Sequence, residues 1–241
     1  MQLTIIIATY NAGAHLQDCL DSIRNFAPDE TEILVMDGVS SDNTISILQH
    51  FVHPHLTWIS EPDKGIYDAL NKGVKKAKGK WIHFLGADDR LLPEFQELAS
   101  RLEEQDTVYY ANSEDYYGNR ENVWPLLKGP FSRYRLAKFC MNHQCILYPA
   151  GVFKKYHYDL KYPVSADYVL NMAVWGDGHF KKRYFPYKIV RYDMTGFSSF
   201  TTDEIFKADK PGLVKRYLGW WIYLRYRIKK SKENRKNNFN I

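Results

Sequence analysis

Leu3-Thr4-Ile5-Ile6-Ile7-Ala8 is an apolar, largely β-branched run without the polar alternation of a half-exposed strand, which is the pattern of a strand buried on both faces. A turn at Asn11-Ala12-Gly13 and the helical spacing of Leu16, Leu20 and Ile23 follow, making one β-α unit. Glu32-Ile33-Leu34-Val35-Met36-Asp37 repeats the strand signal, and Ser41-Asp42-Asn43-Thr44 supplies N-cap chemistry for a helix carrying Ile45 and Leu48. Leu56 to Ser60 is a weaker third strand. In the next helix Asp63 is the expected cap, and Ile66, Ala69, Leu70, Gly73, Val74 and Ala77 form the expected core-facing stripe, with Lys72, Lys75, Lys76 and Lys78 toward water. Trp81-Ile82-His83-Phe84-Leu85 reads as a fourth buried strand ending in Gly86-Ala87-Asp88-Asp89.

Strand and helix in such close alternation imply an α/β fold with a mostly parallel sheet and helices on both faces, in which ligands sit at the carboxyl ends of the strands. Those ends carry Thr9, Tyr10 and Asn11, then Asp37 through Asp42, then Glu61 and Asp63, then Asp88 and Asp89. Four loops therefore converge on one acidic rim. From about Asp106 the alternation becomes irregular: Thr107 to Ala111 reads as a strand, Tyr116 to Trp124 as a hairpin around Gly118-Asn119, Ser165 to Trp175 as a helix and His179 to Tyr192 as paired strands. No Pro-, Gly- or Ser-rich hinge divides the chain, so one domain over residues 1–209 is expected, with its first half over 1–105 and its second over 106–209, followed by a basic segment over 210–241.

With 241 residues, 45% of them hydrophobic and 25% charged, the chain has an ordinary globular composition and needs no disulfide or metal staple to build a core. Cys19, Cys140 and Cys145 form no CxxC pair, and Cys140, His143 and Cys145 lack the fourth ligand of a zinc site. No stretch approaches the ~20 apolar residues of a membrane-spanning helix and Leu3 to Ala8 lacks the flanks of a signal peptide, so a cytosolic protein is expected.

Asp88-Asp89 is the feature with the most chemistry in it. Two adjacent carboxylates at the end of an apolar strand repel each other unless a cation neutralises them, and hard oxygen ligands suit Mg²⁺ or Mn²⁺. The alternative is a pair of acids opening the next helix, near Pro93. Asp37, after the second strand, has the place of a ribose-binding acid, yet the first loop runs Thr9-Tyr10-Asn11-Ala12-Gly13 and not GxGxxG, and Gly73 to Lys80 has the wrong spacing for a P-loop. A nucleotide bound here would need a metal on its phosphates.

Thr4 to Asn11, Asp37 with Ser40-Ser41-Asp42-Asn43-Thr44, the segment Ser60-Glu61-Pro62-Asp63-Lys64-Gly65-Ile66-Tyr67-Asp68-Ala69-Leu70-Asn71, and Gly86-Ala87-Asp88-Asp89 together resemble the nucleotide-sugar half of the family 2 inverting glycosyltransferases of GT-A fold. The resemblance implies that Thr9, Tyr10, Asn11, Asp37 and Lys64 bind the nucleotide sugar, that Asp89 is the direct ligand of a Mn or Mg ion and that Asp88 lies nearer the ribose. Gly86 stands where many relatives have the first acid of Asp-x-Asp-Asp, which leaves fewer carboxylates for the metal. Asn142-His143-Gln144 resembles the acceptor-side His-Gln segment, so His143 and Gln144 are expected beside acceptor or diphosphate. Ser165-Ala166-Asp167-Tyr168-Val169-Leu170 resembles the segment whose carboxylate, here Asp167, is the catalytic base. Such a base is needed because a sugar hydroxyl is a poor nucleophile. The implied reaction moves a sugar, from a UDP-sugar, to a glycan or lipid-linked acceptor in surface polysaccharide assembly. A nucleotidyltransferase and a non-catalytic nucleotide-sugar binder or membrane scaffold are the competing readings.

Residues 210–241 hold ten of the Lys and Arg residues against one acid, Glu233, for a net of +9, while the remaining 209 residues carry 23 bases against 27 acids, a net of −4. From Pro211 to Lys230 one expected helical face collects Val214, Tyr217, Leu218, Trp221, Leu224 and Ile228 among six bases. An interfacial helix on an anionic membrane and a stripe packed on the body both fit that pattern. Nothing else in the chain resembles a nucleic-acid-binding module, so no nucleic-acid partner is expected.

Overall fold

The computed structural model describes residues 1–118, 128–195 and 201–238. Three β-α units and a fourth strand open the chain: β1 (Leu3–Thr9), α1 (Leu16–Phe26), β2 (Glu32–Asp37), α2 (Thr44–His50), β3 (Leu56–Ser60), α3 (Ile66–Lys76) and β4 (Trp81–Gly86). There follow β5 (Arg90–Leu91), α4 (Glu94–Ala99), β6 (Thr107–Tyr116), α5 (Arg133–Lys138), β7 (Ile146–Pro149), α6 (Ala166–Gly176), β8 (Lys181–Asp193), α7 (Glu204–Leu213) and α8 (Trp220–Asn238). Among the described residues, eight strands join one sheet in the order β3-β2-β1-β4-β7-β6-β8-β5. The β3 to β4 part is parallel, and β7 enters antiparallel to β4, so the sheet is mixed.

The apolar middles of β1 and β2 run between two core clusters. Ile6, Leu34 and Met36 point to one face and Ile5, Ile7, Ile33 and Val35 to the other, which is why these strands show no polar alternation. On the first face α3 comes so close that a Cβ at Gly73 would lie 2.6 Å from Ile6 Cγ2.

Several local readings change. The α3 stripe begins with Tyr67, which is buried, whereas Ile66 is 52% exposed. Gly65, with φ of 105°, occupies the cap position expected for Asp63; Asp63 instead accepts from Gly65 N (2.8 Å), and Asp68 reaches back to Lys64 N (3.1 Å). The left-handed backbone at residue 65 turns the first helical residue one step from the phase that counting from Asp63 implies. Asp42, not Asn43, satisfies the start of α2, accepting from both Thr44 N and Thr44 Oγ1. Asp88 and Asp89 open no helix: the two-residue β5 comes first. The segment from His179 to Tyr192 is one long strand and not a hairpin, because its partners are remote, β6 in parallel and β5 antiparallel. The Tyr116–Trp124 hairpin falls largely on residues 119–127, outside the described residues.

The C-terminal stripe is divided. α7 starts under the side-chain cap of Asp203, passes Pro211 and opens into a π-turn over Val214–Leu218, and Gly219 (φ 98°) then redirects the chain into α8. Val214 and Leu218 are buried, but Trp221 is 81% exposed. Proline contributes no N–H and so loosens the bonding pattern of the turn that follows.

Candidate active site

At the carboxyl end of β2, Asp37 is almost fully buried and organises the rim. Its Oδ1 accepts from Thr9 Oγ1 (3.0 Å) and Ser40 Oγ, and its Oδ2 accepts from Ser40 N (3.0 Å) and Ser60 Oγ (2.7 Å). Burial alone would raise its pKa, but the bonds from Ser40, Ser60 and Thr9 together hold the carboxyl below the usual range. Three strand ends are thereby tied to one carboxylate. Ser40 Oγ also lies 2.8 Å from the Asn11 amide, whose side chain accepts from Ser41 N (2.9 Å). Asn11 (φ 50°) and Val39 (φ 64°) both sit in the left-handed region, which is strained for a β-branched valine and recurs at ligand clamps. Tyr10 is 69% exposed above this loop. Lys64 is exposed, and neighbouring Lys72 makes the local ion pairs, to Glu61 and Asp68.

At the end of β4 the acidic pair divides. Asp88 is half-buried, whereas Asp89 is 1% exposed and bonded through Oδ2 to Gln144 Nε2 and through Oδ1 to Asp193 N (2.6 Å). Gln144 Oε1 in turn accepts from Gly86 N (2.7 Å). Gln144, expected with His143 beside acceptor or diphosphate, thus has its amide spent on the acidic motif. A Cβ at Gly86 would stand 2.3 Å from Asp89 Oδ2 and 2.8 Å from Asp88 Oδ1, so the first acid of Asp-x-Asp-Asp would require these carboxylates to shift. Both carboxyls are pushed upward, first by burial; Asp88 adds its charge at Asp89, and Asp193 adds its own at Asp88. The adjacent base, Arg90, is paired with Asp18. Among the described residues no three His, Cys, Asp or Glu side chains form a metal cluster. Two uncompensated carboxylates fit a hard divalent cation that takes its remaining ligands from water and substrate phosphate.

His143 follows on from this motif. Its Nδ1 is 3.2 Å from Tyr158 Oη and its ring stacks on Phe84, and burial pushes its pKa down while the Asp167 charge opposes that. Asp167, in the first turn of α6, has Oδ1 3.0 Å from Tyr67 Oη. That hydroxyl also lies 2.8 Å from Val164 O. Tyr67 therefore links the α3 motif of the first half to the carboxylate of the second. Sequence reasoning missed Tyr67 and Asp193; Tyr67 stood in a quoted motif with no role given, and Asp193 is marked only by lying at the end of a long strand.

Residues 4–160 match the family model for Glycosyl transferase family 2. The chain belongs to that family. A PGL/p-HBAD biosynthesis glycosyltransferase of Mycobacterium tuberculosis is 34% identical to this family 2 glycosyltransferase over 220 residues, 86% of this chain and 83% of that one. Among solved structures, Staphylococcus aureus TarS 1-349 in complex with UDP-GlcNAc superposes with a TM-score of 0.70 at 15% identity, covering 90% of this chain and 72% of that one. The mannosyltransferase PcManGT from Pyrobaculum calidifontis, in complex with GDP-Man and Mn²⁺, gives 0.59 at 17% identity, covering 77% and 55%. The fold of the glycosyltransferase is accordingly GT-A.

Proposed function

We propose that the protein transfers a hexosyl or N-acetylhexosaminyl group from a UDP-sugar to a hydroxyl of a glycan or lipid-linked acceptor, with inversion, as a step in cell-surface polysaccharide assembly. The observation that carries this reading is that His143-Gln144 joins two kinds of carboxylate: Gln144 holds the buried Asp89, and the Asp167 charge acts on His143. One is suited to a phosphate-bound cation, the other to an incoming hydroxyl. Nucleotide-sugar complexes of the two fold neighbours, one with UDP-GlcNAc and one with GDP-Man, support a nucleotide-sugar donor.

On the donor side, Asp37 braces the loop from which Thr9, Tyr10 and Asn11 meet the nucleotide, with Lys64 at its edge. Asp88 from its half-exposed place and Asp89 from beneath would hold a Mn or Mg ion, which offsets the charge that grows on the departing diphosphate. Asp167 takes the proton of the acceptor hydroxyl as its oxygen attacks the anomeric carbon and the bond from that carbon to the diphosphate oxygen breaks. Burial favours the neutral form of His143 against the opposing Asp167 charge, and its Nδ1 lies within hydrogen-bonding distance of Tyr158 Oη, so it orients by hydrogen bonding. Calorimetric titration with UDP and GDP, each with Mn²⁺, Mg²⁺ or EDTA, tests the donor side: metal-dependent UDP binding is expected, and no binding of either nucleotide under any condition would sink the reading.

Tyr67→Phe removes one hydroxyl from Asp167 and from Val164 O. Turnover is expected to fall several-fold with UDP affinity unchanged, because the lost bond positions the carboxylate and does not touch the donor. A change in UDP affinity alone would place Tyr67 on the other side of the site.

A further inference from the structure

The last helix turns an apolar stripe outward. Residues on a helix advance by about 100°, so Trp221, Leu224 and Ile228 share one side of α8, while Ile222, Tyr223 and Tyr226 share the opposite side. The second group packs on the core. In the first, Trp221 is 81% and Ile228 59% exposed, and Trp220 beside them is 50% exposed. Exposed tryptophans clustered on one helix are unusual for a surface that meets only water.

Four of the bases around this stripe have no carboxylate partner among the described residues. These are Lys215, Arg216, Arg225 and Arg227, which lie over aromatic faces, Lys215 over Trp220 at 4.7 Å, Arg216 over Tyr217 at 5.2 Å, Arg225 over Tyr134 at 3.9 Å and Arg227 over Tyr223 at 6.0 Å. The segment they belong to carries +9 against −4 for the rest of the chain.

We propose that the outward face of α8, built on Trp220, Trp221, Leu224 and Ile228 and flanked by these bases, docks on an anionic lipid bilayer. Indole rings settle at the headgroup level, Leu and Ile enter the acyl boundary, and the flanking cations meet anionic headgroups. Two other occupants fit less well. A second copy would bring two strongly cationic segments together. Nucleic acid would use the tryptophans for stacking but gives Leu224 and Ile228 nothing to stack with.

The docking face is fixed to the second half of the site. Asp203, which caps α7 by accepting from Phe206 N (2.9 Å), also accepts the Val164 and Ser165 amides (3.2 and 3.1 Å), just ahead of Asp167. At the far end of α6 the π-turn presses so close that a Cβ at Gly176 would lie 1.9 Å from Tyr217 O. Binding to a bilayer would therefore set the orientation of the Asp167 helix toward a lipid-borne acceptor; that orientation rests on the proposed role of Asp167, whereas the docking itself does not.

The test is co-sedimentation of the full chain with vesicles of phosphatidylcholine alone or mixed with phosphatidylglycerol, read together with tryptophan emission. Binding only to the mixed vesicles, with a blue shift, is expected, and the double variant Trp221→Ser, Ile228→Ser should lower partitioning by about tenfold or more while leaving UDP titration and melting temperature unchanged. No binding, or binding equal in the double variant, would overturn the proposal. So would a dimer or an RNA complex that the same substitutions abolish, since that would assign the face to another occupant. Loss of UDP binding in the unaltered protein would count against the donor-site reading and not against this one.

Discussion

Asp167→Asn is expected to lower turnover by about 10²- to 10⁴-fold, the usual contribution of a general base, while UDP binds as it does to the unaltered protein. The substitution keeps the shape of the side chain, and the amide oxygen still accepts from Tyr67 Oη, so the local packing around α6 has no reason to shift. What disappears is the ability to take a proton. The nearest candidate to replace it, His143, already shares Nδ1 with Tyr158. Stopped assays of sugar transfer, paired with calorimetry of UDP, separate the two effects. If UDP affinity fell as far as turnover, the division between donor and acceptor residues would be wrong; if turnover survived, His143 would be the next base to examine.

The second large effect lies in the acidic motif, where the two aspartates are expected to behave differently. Asp88→Ala should weaken metal-dependent UDP binding at least about tenfold with little loss of stability, because the carboxyl is destabilised by burial and by Asp193 in the folded state. Asp89→Ala should lose the same binding and also lower the melting temperature. Its carboxylate satisfies Gln144 Nε2 and the half-buried Asp193 amide, and removing it leaves the buried Gln144 donor without a partner, at a cost of about 1–3 kcal/mol. For a chain of this length that corresponds to a shift of several degrees, by the usual ~2–4 °C per kcal/mol. Calorimetry in Mn²⁺ and in EDTA, with a thermal scan of each variant, reads both quantities. Unchanged metal-dependent affinity in Asp88→Ala and Asp89→Ala alike would remove the cation from this motif.

The sequence by itself determined the parallel core and its rim. β1, β2 and β4 are buried on both faces, so their composition alone distinguishes them, and the polar residues that interrupt each run mark the carboxyl ends. Short-range order also marked α6, including the first-turn position of Asp167. Only the tertiary structure decided how those loops are joined. Asp37 collects donors from Thr9, Ser40 and Ser60, Gln144 reaches Asp89 across 55 residues, and Tyr67 reaches Asp167 across 100; such contacts leave no periodicity in the chain. The same holds for the phase of α3 and for the C-terminal helices. Spacing groups Val214, Leu218, Trp221, Leu224 and Ile228 on one face, but a single backbone turn at Gly219 buries the first two and exposes Trp221 and Ile228. Hydrophobic spacing reports which side chains lie together on a helix; what that side faces is set by the direction of the chain before it and by the surface it meets.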